Sequence, residues 1–293
     1  MPASVTATAS VQISQLTWQR IGPLLLVAPL VVYLLAFYAI PLTAMLLRSV
    51  TDPTWTLENY QRLIGDTVFI RVFWTTLRTS LVVTAGTLLL GYPVALALSR
   101  LRRGAAGVVL IIVLLPFWTS VLVRSYAWMV LLGRKGLINE ALLAAGLTDV
   151  PLKLLNTPLA VHIAMIHILL PYMILPIASV LRQMDPALPR AAAGLGAAPW
   201  SVFARIILPL SVPGVAAGVL LVFVLSLGFY ITPALVGGPR DFMLSMLIAQ
   251  QVDLLNWPYA ACLSATLLAA TLLIIAMFQR LPGVRDVLRA VTR

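Results

Sequence analysis

Few side chains in this sequence can do chemistry. Its 293 residues hold two histidines, one cysteine and nine Asp and Glu, against 20 Lys and Arg. His162 and His167 lie five apart in an apolar stretch, a spacing that puts them on different faces of a helix. That favours packed or cavity-facing imidazoles over a shared metal, and no metal site is expected. No His-Glu-x-x-His pair or paired-carboxylate constellation occurs, so the commonest intramembrane hydrolytic chemistry has no residues to run on. A Gly-x-x-x-x-Gly-Lys-Ser/Thr loop is missing too. The chain therefore cannot cradle the phosphates of ATP itself, and any ATP and Mg would be held by a partner. Cys262 stands alone in an apolar run, permits no intrachain disulfide and reads as a small packed hydrophobe.

The elements that must position these residues follow from composition. At 61% hydrophobic and 10% charged residues, with mean hydropathy +1.02, the sequence lies outside the soluble range and belongs in a bilayer. The net charge of +11 does not indicate nucleic acid, because the arginines sit at the ends of apolar runs, where they set topology. Roughly 20 apolar residues cross a core of about 30 Å. Six segments meet that length: Gly22–Leu47, Val72–Ser99, Ala105–Leu132, Pro158–Leu181, Ile206–Val236 and Trp257–Phe278. The runs are continuous rather than alternating, which predicts helices and not barrel strands. Pro29, Pro93, Pro116, Pro171, Pro176 and Pro213 fall inside spans and predict kinks. Residues 1–20 read as a disordered polar tail, 21–282 as the transmembrane domain and 283–293 as a basic tail.

An even number of spans places both termini on one side. Arg100, Arg102 and Arg103 in the turn after span two, with Arg280, Arg285, Arg289 and Arg293 at the C-terminus, point to the cytoplasm. Adding Arg20, Arg182, Arg190 and Arg205 puts eleven of the 20 basic residues there, so the expected topology is N-in and C-in. Counted along a straight helix from Ala105, nineteen steps of about 1.5 Å set Arg124 roughly 29 Å away, near the outer interface. Arg48 and Arg78 come out on the same side. Snorkelling to headgroups and lining of an outer vestibule both fit these arginines. Trp118, Tyr126, Trp128, Tyr172, Phe229 and Tyr230 either enclose a ligand or gather at the interfaces for lipid reasons.

Between spans four and five lies "RAAAGLGAAPWSVFARIILPL", residues 190–210, inside the loop 183–209. Asp185 can cap a helix opened by Pro186, Gly196 breaks that helix, and Pro199 starts a second one that runs into span five. Such a segment suits either a protein groove or an amphipathic rest on lipid. Ala191-Ala192, Gly196, then nine residues to Ile206, then Leu208-Pro209 resembles the Glu-Ala-Ala loop of permease subunits of binding-protein-dependent ABC importers. Arg190 stands where that family has its glutamate, so a salt bridge made by the glutamate does not carry over. The resemblance implies an all-α, six-helix importer permease whose loop is a coupling helix for an ATPase.

"TLENYQRLIGD", "LLPFWTSVLVRSYAW", "NTPLAVHIAMIHILLPYMILPIASVLRQMDP" and "SLGFYITPALVGGP" narrow the likeness, over residues 20–282, to the first permease of spermidine/putrescine-type systems. It implies a multi-pass protein of the bacterial inner membrane that binds no cofactor itself. Its partners would be a second homologous permease, two ATPase subunits, an external solute-binding protein and membrane lipid, but no nucleic acid. A polycation fits poorly with one feature of the residues. None of the nine acids falls inside a predicted span, while Arg48, Arg78 and Arg124 lie near the outer mouth. An opine, amino-acid-like or phosphonate solute therefore competes with polyamine. A self-sufficient carrier or channel would want midmembrane ionisable groups, and only the two histidines are offered.

Overall fold

The computed structural model describes residues 26–52 and 54–280. The tails at 1–20 and 283–293, the start of span one at Gly22, and Arg20, Arg285, Arg289 and Arg293 lie outside the described residues. Among the described residues every regular element is helical. In chain order these are α1 (Leu26–Thr51), α2 (Glu58–Gly65), α3 (Thr67–Arg100) and α4 (Arg103–Leu114), which tightens into a 3-10 turn at Leu115–Trp118. They continue with α5 (Val121–Leu131), α6 (Leu137–Ala144), α7 (Pro158–Gln183), α8 (Ala187–Gly194) and α9 (Pro199–Leu227). The last are α10 (Ile231–Val236), α11 (Leu244–Asp253) and α12 (Trp257–Gln279). Five helices, α1, α3, α7, α9 and α12, are individually long and apolar enough to cross a bilayer.

Two expected spans are corrected. The third, Ala105–Leu132, is not one helix: Arg103–Trp118 and Val121–Leu131 meet at 99°. Pro116 lacks an N–H, and the turn it tightens ends where Thr119 N and Oγ1 both donate to the Pro116 carbonyl, at 3.2 and 2.9 Å. Ser120 then caps α5, accepting from Leu122 N at 3.3 Å. The straight-helix count that set the depth of Arg124 therefore fails, because beyond Ser120 the chain runs across and not onward. The fifth span ends at Leu227 instead of Val236, since Gly228 stops α9 and the chain restarts as α10.

At the centre stands α7. Ala164, Met165, Ile168, Leu169, Met173, Ile174 and Ile177 are all at most 2% exposed, and half of the apolar window of α7 is buried, the largest share of any span. It packs on α3 and α9, and α3 packs on α9, which makes a three-helix core. Small residues permit the close approach. Gly214 and Gly218 of α9 stand four apart on one face. A Cβ at Gly214 would lie 2.8 Å from the Pro176 carbonyl and 2.9 Å from Ile177 Cα, and one at Gly218 would lie 2.8 Å from Met173 Sδ. Several buried hydroxyls bond back into their own helix or tie helices together, while Ser80 Oγ has no partner among the described residues. Thr84 donates to the Ser80 carbonyl at 2.7 Å, Tyr92 and Ser211 share a bond of 2.9 Å, and Thr76 accepts from Leu244 N at 2.8 Å.

The outer layer hangs on this core. By contrast with α7, no part of the apolar window of α1 is buried, and its second half packs on α12. Asp66 holds that side together, accepting from Val68 N at 2.8 Å as the cap of α3 and from Tyr259 OH of α12 at 3.0 Å. Cys262 is a free, fully buried thiol in the same cluster.

The seam between α7 and α9 yields a prediction. Gly214→Leu should cost about 1–3 kcal/mol through overpacking and lower the thermal unfolding midpoint of the purified protein. Gly107→Leu, where a Cβ meets nothing within 4 Å, should leave the midpoint unchanged.

Candidate functional site

The segment after α7 folds as its residues dictate. Asp185 Oδ1 accepts from Ala187 N at 2.8 Å, so the carboxylate satisfies a free donor at the start of α8. Pro186 occupies the cap position, so α8 starts at Ala187, one residue later than expected. At the other end Gly196 has φ +84°. Its N–H donates to the Ala193 carbonyl and that of Ala197 to the Ala192 carbonyl, both at 3.0 Å, the paired closure of a Schellman turn. Pro199 then opens α9, which carries a π turn at Phe203–Ile207. Within the motif, Ala192 and Ile206 pack against the core and anchor the segment, while Ala191, Leu208 and Pro209 are exposed. Leu188 and Leu195 are 48% and 89% exposed and share a face with Ala191, at positions i, i+3 and i+7. Arg190 is on another side: at 3.6 residues per turn it lies about 140–160° from the two leucines, above Pro186 and Pro189.

The second region is the break in the third span. Bending the chain at Ser120 brings α5 over the exposed side of α7. Trp128 Nε1 donates to His167 Nδ1 at 3.2 Å, with the rings edge-on and their centroids 5.6 Å apart. Phe117, on the other limb, packs at 4.8 Å on Tyr172. Arg124, one turn before Trp128, lies within electrostatic reach of Tyr172 and His167. Its Nε is buried without a hydrogen-bond partner among the described residues. Next to Arg124 on α5, Ser125 shares a bond of 2.8 Å with Thr232 of α10 and ties the bent limb to that helix. The result is an aromatic surface with one guanidinium, formed by residues far apart in sequence.

These helices and their packing match a known architecture. A family model described as binding-protein-dependent transport system inner membrane component matches residues 16–285. The chain belongs to that family. The spermidine/putrescine transport system permease protein PotB of Escherichia coli (strain K12) is 36% identical over 233 residues, covering 79% of this chain and 84% of that protein. PotB of Haemophilus influenzae is likewise 36% identical, over 83% of this chain and 81% of its own length. A chain of the bacterial alginate ABC transporter, solved in complex with alginate pentasaccharide-bound periplasmic protein, has a TM-score of 0.70. At 20% identity, over 90% of this chain and 96% of that one, it shows the shared fold. This permease is accordingly a multi-pass protein of the bacterial inner membrane and a transport subunit, not an enzyme.

Of the aromatic and basic residues expected to line a pathway, the structure of this permease brings Arg124, Trp128 and Tyr172 together. Trp118 and Tyr126 are 80% and 48% exposed. Phe229 is half-buried and Tyr230 exposed, at the joint between α9 and α10, where the Phe229 carbonyl accepts from Ser245 Oγ at 2.6 Å. Sequence reasoning missed Phe117, and it read His167 as a packed or cavity-facing imidazole without naming Trp128 as its partner. The signal was present in the four-residue spacing of Arg124 and Trp128, but their partners on α7 depend on the bend. It also missed Asp241, 5% exposed. This acid accepts from Gly238 N at 2.9 Å and lies within electrostatic reach of His162. No acid was expected inside a span, and this one is buried in a turn packed against α7.

If the Tyr172 face borders water, Tyr172→Cys should react with a hydrophilic maleimide while the adjacent, fully buried Met173→Cys should not. Because Cys262 is itself buried, the unaltered protein gives a low baseline. Mass spectrometry of the labelled protein reads the result, and equal labelling of the two variants would show that this face is closed.

Proposed function

We propose that this chain is the translocation subunit of an ATP-driven, binding-protein-dependent importer of polyamines. The observation that carries the reading is 36% identity to spermidine/putrescine permeases over about four-fifths of both chains. Six crossings, with the bent pair counted as one, put both termini and α8 in the cytoplasm. This chain pairs with a second, homologous permease. An external solute-binding protein delivers the solute, and two ATPase subunits supply ATP and Mg, so this chain binds no cofactor of its own. The exposed stripe of Leu188, Ala191 and Leu195, with Trp200 at 73% exposure, is the face for an ATPase groove. Arg190 lies off that stripe, so docking does not depend on the glutamate it replaces.

Closure of the ATPase pair moves α8, and α8 moves α9 through the Gly196 turn and the anchors Ala192 and Ile206. Because α9 packs on α7 across glycines, the displacement passes into the core as a rigid-body shift that alternates access. Affinity resides in the binding protein, so the pathway needs only weak contacts such as the aromatic surface of Trp128 and Tyr172. One observation favours a second reading: the unpartnered Nε of Arg124 suits an anionic or zwitterionic solute better than a polycation.

Proteoliposomes holding the whole importer should take up labelled spermidine only with ATP, and excess opine or phosphonate should not compete. Competition by those solutes would favour the second reading. Gradient-driven uptake by this chain alone would overturn the importer assignment. Gly196→Val adds about 1–2 kcal/mol of left-handed strain, so uptake should fall about tenfold while ATP hydrolysis persists. Gly196→Asn, which tolerates that conformation, should retain most of the transport.

A further inference from the structure

A cleft of about 390 Å³ opens between α8 and the ends of α3, α7 and α9. Three arginines from three separate segments line it: Arg100 at the end of α3, Arg182 at the end of α7 and Arg190 on α8. The one carboxylate in the lining, Asp185, already accepts the Ala187 N–H. Among the described residues, the only hydrogen bond from these guanidinium groups runs from Arg182 Nη2 to the Leu98 carbonyl at 3.4 Å. Three positive charges against one negative leave the cleft at +2. Apart from Ser99, its remaining wall is apolar, with Leu96, Leu181 and Ile207.

We infer that this cleft binds a phosphoryl anion that clamps α8 to the ends of α3 and α7. Guanidinium forks match phosphate oxygens two at a time, and basic pockets between transmembrane helices at a membrane surface suit anionic headgroups. The apolar wall beside the arginines fits the glycerol and upper acyl carbons of a phospholipid, while a free phosphate would use the arginines alone. Arg190 gains a role here. It faces the cleft with Pro186 and Pro189 and not the exposed leucine stripe, so the basic residue completes an internal clamp. The inference rests on α3 and α7 ending at a membrane surface. It does not depend on the solute or on ATPase docking, so transport and anion binding fail separately.

Native mass spectrometry of the purified full-length chain, exchanged into phosphatidylglycerol or phosphatidylcholine, tests it. The unaltered protein should retain phosphatidylglycerol preferentially. Arg190→Gln should weaken retention about fivefold and Arg182→Gln/Arg190→Gln about 25-fold, from the worth of one interfacial basic residue. Arg103→Gln, at the start of α4 and outside the cleft, should change nothing. Loss of bound lipid in 10 mM inorganic phosphate identifies a site for the free anion. Retention in that buffer identifies a headgroup site. Equal losses in Arg103→Gln and Arg190→Gln would reduce the effect to general surface charge, and binding of neither phosphatidylglycerol nor phosphate would overturn the clamp.

Discussion

Inside a bilayer no water is available to satisfy a backbone N–H or C=O, and every feature of this permease obeys that constraint. It makes all the crossing elements helices, and it requires each interruption of a helix to be closed by local chemistry. The break in the third span is tolerable because Thr119 turns back onto the Pro116 carbonyl and Ser120 opens the next helix. Prolines 93, 171, 176 and 213 sit within helices that run on past them. Asn139, fully buried, performs the same service for a loop: its amide donates to the carbonyls of Gly133 and Leu152 and accepts from Leu152 N. Left unmade, each such bond would cost about 1–3 kcal/mol.

Association of the helices follows a different rule. Lipid tails are as apolar as leucine side chains, so close packing and hydrogen bonds must supply what the hydrophobic effect supplies in water. That is why glycines, serines and threonines lie along the seams of α3, α7 and α9, and why large apolar residues such as Leu89, 75% exposed, face outward. It also makes α7 a single mechanical body with its neighbours. Gly214 and Gly218 set the backbone of α9 directly against Pro176, Ile177 and Met173 of α7.

Two sites divide the chemistry of the molecule. The α8 segment combines a left-handed glycine turn, an exposed leucine stripe and a basic cleft behind it. The bent third span lays Arg124 and Trp128 against His167 and Tyr172. Helices with few ionisable groups suit a conduit, where strong binding along the path would slow release. Asp241, buried against the opening turns of α7, shows that the sparse acids of the chain are used in folding as well as on the surface.

The sequence alone determined membrane residence, helical class and the helix–glycine–helix form of the α8 segment. Each depends on residues close together in the chain: a hydrophobic run of fixed length, an aspartate two residues before the amide it caps, a glycine where only a left-handed residue fits. Pro116 announced a disturbance but not its size, because a proline can kink a helix slightly or end it, and packing of α5 against α10 through Ser125 and Thr232 selects the 99° bend. Only the tertiary structure placed Trp128 on His167, gathered Arg100, Arg182 and Arg190 around one cleft and buried Asp241. Those contacts join residues up to about ninety positions apart, and in a chain where nearly every helix face is apolar, periodicity carries no signal of which face meets which.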